Sequence, residues 1–340
     1  MVINLIFYAT KLRALAIVGV LLIHISARLV RQEVGSFEWW FGNIVDSSVR
    51  WAVPIFFMLS GMLLLGKKEA QSVVIKKRVP RLIWPLLFWS FIYSLWASRY
   101  QLHTYSLEQS IINFFNGTIK YHLWYLYTII GLYLCMPLFK TLIQYGKKVD
   151  VRYFICLSFL TSAIFISLSS FLQIKLAGGF EYLLGFGSYF LLGHYLANTD
   201  ISKRVAYFFY IMGGIALFVT IMGTWLFSLR DGTLNQGFYE YLSLTTPFVA
   251  ISIFILFKHH GNNLCGRFTT YAAKYSFGVY LIHPIVLDIF RSKEFIQATD
   301  ISELSTNPII YIAIILSVVY IFSILLTMFL HRIPYINRLV

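Results

Sequence analysis

The feature that constrains this chain most is the recurrence of apolar stretches of about 20 residues. That is the length a helix needs to cross the ~30 Å hydrocarbon core of a bilayer. The stretches lie near 10–30, 47–66, 82–98, 122–138, 153–172, 180–197, 205–228, 237–257, 270–290 and 309–330. Of the 340 residues, 59% are apolar and 12% charged, about half the charged share of a soluble domain, so a water-exposed surface cannot be built from them. The expected fold class is all-α: a polytopic membrane helix bundle of about ten transmembrane helices, forming one domain over 1–340. Residues 2–9 (VINLIFYA) extend the first stretch or lie along the interface. No small-residue cleavage site follows that stretch, so it is read as retained. Cys135, Cys156 and Cys265 are odd in number and lack metal-ligand spacing, so neither a disulfide nor a metal site is expected.

The net charge of +14 would fit a nucleic-acid partner, but the placement of the charges argues for topology. Loops on the side of the N-terminus hold eighteen Lys and Arg, six of them in 67–81, and the opposite loops hold seven. Most acids, Asp46, Asp231 and Glu303 among them, fall in the opposite loops. The alternation places both termini in the cytoplasm and removes the need for nucleic acid. The longest gaps, near 99–121 and 291–308, are too short for an independent core. The segment 106–117 (SLEQSIINFFNG) has helical spacing and is expected at the outer surface. Any chemistry therefore falls to the bundle.

An ionisable side chain at mid-span costs roughly 2.5–3.5 kcal/mol on insertion scales, so each asks for a reason. The candidates are Arg13, His24, Arg28, Arg50, His122, His194, Glu240, Lys274, His283 and Asp288. Arg13 and His24 are eleven residues apart, about 16.5 Å along a helix and roughly 20° past three full turns, hence on one face. Arg28 follows one turn further on nearly the same face. Spacing alone leaves two readings open: an anchoring arginine with a packing histidine, or a cation below a general base. The second suits a donor whose anionic head stays in the cytoplasm while its reactive end enters the bilayer. Arg78 and Arg81 flank Val79–Pro80, a spacing that fits either a topological charge run or a diphosphate clamp. Ser60–Gly61 in an apolar helix reads as close packing rather than as a nucleophile. His122 and Trp124 fit an outer aromatic belt, and Tyr280 and His283 share a helix face just before Pro284, which frees a carbonyl. His194 reads as structural.

Taken together, Arg13 followed after ten residues by His24, FFMLSG containing Ser60–Gly61, Arg78-x-x-Arg81, HLWYL at 122–126 and SFGVYLIH at 276–283 occur in an order that resembles the membrane acyltransferase 3 family. The likeness runs from the first stretch to the last and is greatest to short members that O-acetylate the enterobacterial common antigen or the O-antigen. It implies a multi-pass protein of the bacterial inner membrane, with the bilayer and no nucleic acid as its surroundings. It implies acetyl transfer from cytoplasmic acetyl-CoA, with no metal, to a hydroxyl of a surface glycan or of its undecaprenyl-linked precursor. By position, His24 matches the family's essential histidine, Arg13 its paired arginine, and Arg78 and Arg81 its cytoplasmic arginine pair. His122, Trp124, Tyr280, His283 and Ser60 are expected to bind substrate or support the site. Thr10, Ala14 and Met62 stand where relatives commonly carry an acid, a glycine and a tyrosine. Two rival readings remain at this stage: a transporter or flippase of lipid-linked sugars, which predicts repeats in the hydropathy, and a membrane scaffold.

Overall fold

The structure, a computed structural model, describes residues 2–67, 69, 71–99, 106–174, 180–261, 267–303 and 305–340. Cys265, Lys68 and Lys175 lie outside the described residues. The helices in chain order are α1 (Val2–Ser26), α2 (Phe37–Val49), α3 (Ala52–Leu64), α4 (Gln71–Val73), α5 (Pro80–Ala97), α6 (Leu107–Phe115), α7 (Trp124–Leu134), α8 (Met136–Tyr145), α9 (Lys148–Phe171), α10 (Phe180–Ala197), α11 (Lys203–Asp231), α12 (Thr246–His260), α13 (Arg267–Phe290), α14 (Lys293–Thr299) and α15 (Pro308–Leu330). No strand occurs among the described residues, and the fold is all-helical as expected.

Five segments are long and apolar enough to cross a bilayer: Phe7–Arg31, Phe37–Leu64, Lys148–Phe171, Lys203–Asp231 and Pro308–Leu330. The pair α7 and α8, bent by 49° at Cys135, makes a sixth if it is taken as one broken span. The segment expected at 47–66 in fact starts at Phe37 and is interrupted at Arg50–Trp51. Pro54 has no N–H to donate to the Arg50 carbonyl, so the helix breaks there and restarts as α3. The segment expected at 237–257 is shorter. A 3-10 turn over Gly237–Tyr239 precedes α12, and the run Ser243, Thr245, Thr246 exchanges hydroxyl hydrogen bonds before Pro247 opens the helix. Glu240 accordingly lies at the end of that turn and not in a span.

The apolar surface is partitioned by depth. On α9, α11 and α15 large apolar side chains such as Leu160, Phe218 and Phe322 face outward, as a lipid-exposed surface requires. The inner helices meet at glycines. A Cβ on Gly61 of α3 would fall onto the main chain of Phe190 in α10, and one on Gly193 of α10 would fall onto that of Met58. This is the close packing read from Ser60–Gly61. α1 packs against α3, α12, α13 and α15. The segment expected to be helical at 106–117 forms α6, with no buried residue and with Leu107, Ile111 and Phe115 exposed.

Candidate active site

Arg13 and His24 of α1 line the same cavity, of about 260 Å3. α3 adds Phe56 and Ser60, α7 adds Trp124, Tyr125 and Tyr133, α13 adds Ser276 and Tyr280, and His122 and Tyr241 come from the segments before α7 and α12. Arg13 has no ion-pair partner among the described residues, which leaves its guanidinium available to an anionic ligand. Ser60 lies beside the hydroxyls of Tyr125 and Tyr133, so its neighbours are phenols rather than a base.

Around His24 the structure gathers two further histidines. The rings of His24 and His283 stack, with centroids 5.1 Å apart and planes 24° from parallel. His122 meets His283 edge-on at 5.6 Å, and both of its ring nitrogens are buried without a partner. The Tyr280 hydroxyl donates to the His122 carbonyl at 2.6 Å, and Tyr121, half exposed, sits 4.7 Å from His24 between ring centroids. Trp124 stacks on Tyr241 at 5.5 Å and 22°, which makes part of the cavity wall a flat aromatic surface. Among the described residues, no group of three or more His, Cys, Asp or Glu side chains is arranged to hold a metal ion.

Pro284 acts as expected: α13 stays helical, and the carbonyl of Tyr280, four residues earlier, loses its main-chain donor. His283 Nδ1 fills that place at 2.8 Å, with Val279 O at 3.2 Å.

Several charges read as loop charges are drawn into the structure. Asp46, expected in an outer loop, is 0% exposed in α2, with an oxygen 2.5 Å from Nε of Arg50. The Arg50 guanidinium lies over the Tyr239 ring at 4.3 Å, and Asn43 accepts from the Tyr239 hydroxyl at 2.7 Å. Lys120 pairs with Asp288 at 2.6 Å, and Trp96 Nε1 donates to the same carboxylate oxygen. Arg291 Nη2 donates to the carbonyls of His24 and Ile25, which the helix end leaves without donors. Of these pairings, only that of Asp46 and Arg50 has a local signal in the sequence, their i,i+4 spacing.

Arg28, Lys274, Arg78 and Arg81 do not line the cavity. Arg28 does not continue the His24 face, because α1 ends at Ser26 and Arg28 turns to Glu303 at 2.8 Å. Lys274 is exposed near the start of α13, its ammonium 5.0 Å from the Tyr275 ring. Arg78 lies outside the cavity lining and holds Glu69 in a fork, Nε to Oε2 at 2.8 Å and Nη2 to Oε1 at 2.5 Å. Arg81, three residues on, is exposed and also outside the lining. His194 hydrogen-bonds locally with Asn198, in keeping with a structural role.

Neither the curated proteins nor the solved structures give a match. A family model described as an acyltransferase domain matches residues 8–328, nearly the whole chain. With the apolar helices already described, that coverage establishes a multi-pass membrane protein that belongs to the acyltransferase 3 family.

Proposed function

We propose that this acyltransferase moves an acetyl group from acetyl-CoA to a hydroxyl of a cell-surface polysaccharide, such as an O-antigen or the enterobacterial common antigen, or of its undecaprenyl-linked precursor. The observation that carries the reading is that Arg13 and His24, about 16.5 Å apart along one helix, line a single cavity. In this reading the protein sits in the bacterial inner membrane with about ten spans and both termini in the cytoplasm.

Arg13 at the inner mouth takes a phosphate of the donor, with Arg78 and Arg81 outside it. A diphosphate would compete with Glu69 for the Arg78 fork, because both present paired oxygens to the same guanidinium. The pantetheine arm then runs up the cavity and brings the thioester to His24. His24 removes the proton of the acceptor hydroxyl as its oxygen attacks the thioester carbonyl. The C–S bond breaks as the new C–O ester bond forms, and the imidazolium returns its proton to the departing thiolate. Trp124, Tyr241 and Tyr280 offer aromatic faces against which the apolar side of a sugar ring packs. His122 and Ser60 complete the wall.

Membranes containing the protein, given acetyl-labelled acetyl-CoA, are expected to label the glycan fraction, and His24→Ala membranes are not. Label that never leaves the donor would reject the transfer. Movement of lipid-linked sugar without dependence on acetyl-CoA would favour a flippase instead.

A further inference from the structure

We propose that His283 is a positioning residue for the transfer. It is a ring fixed in one tautomer behind His24, and the His24 imidazole stacks on it while carrying the proton of the acceptor hydroxyl. This rests on the reading of His24 as the base and adds a second residue to it.

His283 is 0% exposed and does not line the cavity, so it has no route to donor or acceptor and can act only through a neighbour. Its orientation is over-determined. Pro284 leaves the Tyr280 carbonyl without a main-chain donor, and His283 Nδ1 lies 2.8 Å from that oxygen. A carbonyl can only accept, so Nδ1 carries hydrogen and Nε2 is left with the lone pair. That nitrogen is buried and without a partner. Proline therefore supplies more than a helix irregularity, since it creates the acceptor that sets the tautomer of the next ring.

The face of this fixed ring is turned to His24. A centroid separation of 5.1 Å with planes 24° apart is an offset stack, the arrangement aromatic pairs prefer. When His24 takes up the proton, its positive ring lies against the π face of a neutral one, which is favourable, and the stack holds the ring in one orientation. The surroundings limit the pocket to a single added proton. His122 adjoins His283 edge-on, and the charge of Lys120 is neutralised by Asp288. A second imidazolium at His283 would place like charges 5.1 Å apart, centroid to centroid, away from water. The arrangement couples α13 to the reacting end of α1 through side chains, independently of the Arg291 tie through the backbone.

The test uses the full-length protein in detergent or nanodiscs and two substitutions that separate the parts of the ring. His283→Asn keeps a donor for the Tyr280 carbonyl and removes the plate, and His283→Phe keeps a plate and removes the donor. His283→Asn is expected to fold with the melting temperature of the parent, to lose tenfold or more in kcat, and to keep the donor KM within twofold. His283→Phe is expected to melt lower yet retain more kcat per folded molecule than His283→Asn. With 15N-labelled histidine, the His24 ring signals are expected to move in His283→Asn, a readout that needs no turnover. Parental kcat in His283→Asn, or His24 signals that stay in place, would overturn the proposal by leaving His283 as a carbonyl cap. A parent protein that transfers no acetyl group would reject the functional reading instead, and the His24 signals would still decide the stacking.

Discussion

Arg291 holds His24 by its backbone: Nη2 lies 3.1 Å from the His24 carbonyl and 2.9 Å from that of Ile25. The last carbonyls of a helix have no donor within it, and a guanidinium from just beyond α13 supplies one. Nε of the same side chain reaches the Tyr311 hydroxyl of α15 at 3.3 Å, so one residue joins three helices beside the His24 ring.

Arg291→Met should therefore lower kcat while leaving donor affinity unchanged. A hydrogen bond to a charged group is worth about 1.5–3 kcal/mol, and losing even part of its orienting effect corresponds to a tenfold or larger drop. Arg291→Lys should recover only part, because an ammonium is a point charge and not a fork. Steady-state kinetics with varied donor separates the two parameters, and a methionine variant at parental kcat would detach Arg291 from the site.

His24→Ala and Arg13→Ala should fail in different ways. Loss of a general base costs about 10²–10⁴ in rate, so His24→Ala should abolish measurable transfer while the protein still reaches the membrane. Arg13→Ala should act mainly on the donor, raising its KM roughly tenfold, the equivalent of one charge-assisted hydrogen bond. Direct binding of acetyl-CoA to each variant would show whether the two residues divide their roles this way. Unchanged donor affinity in Arg13→Ala would take Arg13 out of the phosphate site.

Much of the bundle is legible in the sequence because its signals are local. The eleven-residue spacing of Arg13 and His24, the three-residue spacing of Tyr280 and His283 and the small residue at Gly61 each place side chains by helical geometry alone, and the structure puts them where that geometry says. Residues joined across the fold are not legible in this way. Lys120, Asp288 and Arg291 sort naturally by charge into loops and span ends, yet Lys120 pairs with Asp288, 168 positions away, Asp288 with Trp96, 192 away, and Arg291 with His24, 267 away. Arg28 shows the limit of periodicity itself, since the pattern extrapolates smoothly past Ser26 while the helix does not. The late start of α12 had a readable cause in the Ser–Thr run before Pro247, residues whose hydroxyls compete with helix formation.

Gly61→Ala should destabilise the protein although it adds a single methyl group. The obstacle is the main chain of Phe190, which cannot rotate away as a side chain would, and overpacking of this kind costs typically 1–3 kcal/mol. Gly131 in α7 is the control: nothing lies within 4 Å of the Cβ it would gain, and alanine is the better helix former. Melting curves in detergent should show Gly61→Ala below the parent and Gly131→Ala at or above it. Equal melting temperatures for Gly61→Ala and the parent would contradict the contact between α3 and α10.

The fork between Arg78 and Glu69 predicts both a pH response and a change in donor affinity. The guanidinium hydrogen-bonds the ionised carboxylate and holds Glu69 below its ordinary value of 4.5. A carboxyl that is more acidic when folded contributes its full stabilisation above that ordinary value. The contribution fades as the pH falls through it and is gone below the folded value. Hydrogen exchange around Arg78 should therefore accelerate as the pH is lowered below the ordinary carboxyl value of 4.5, and Glu69→Gln should flatten that dependence. If the donor diphosphate takes the same guanidinium, Glu69→Gln also removes a competitor, so donor KM should fall in that variant and rise in Arg78→Gln. Opposite movement of the two KM values would place the fork at the donor phosphates. A Glu69→Gln enzyme with parental KM would confine Arg78 to holding the loop.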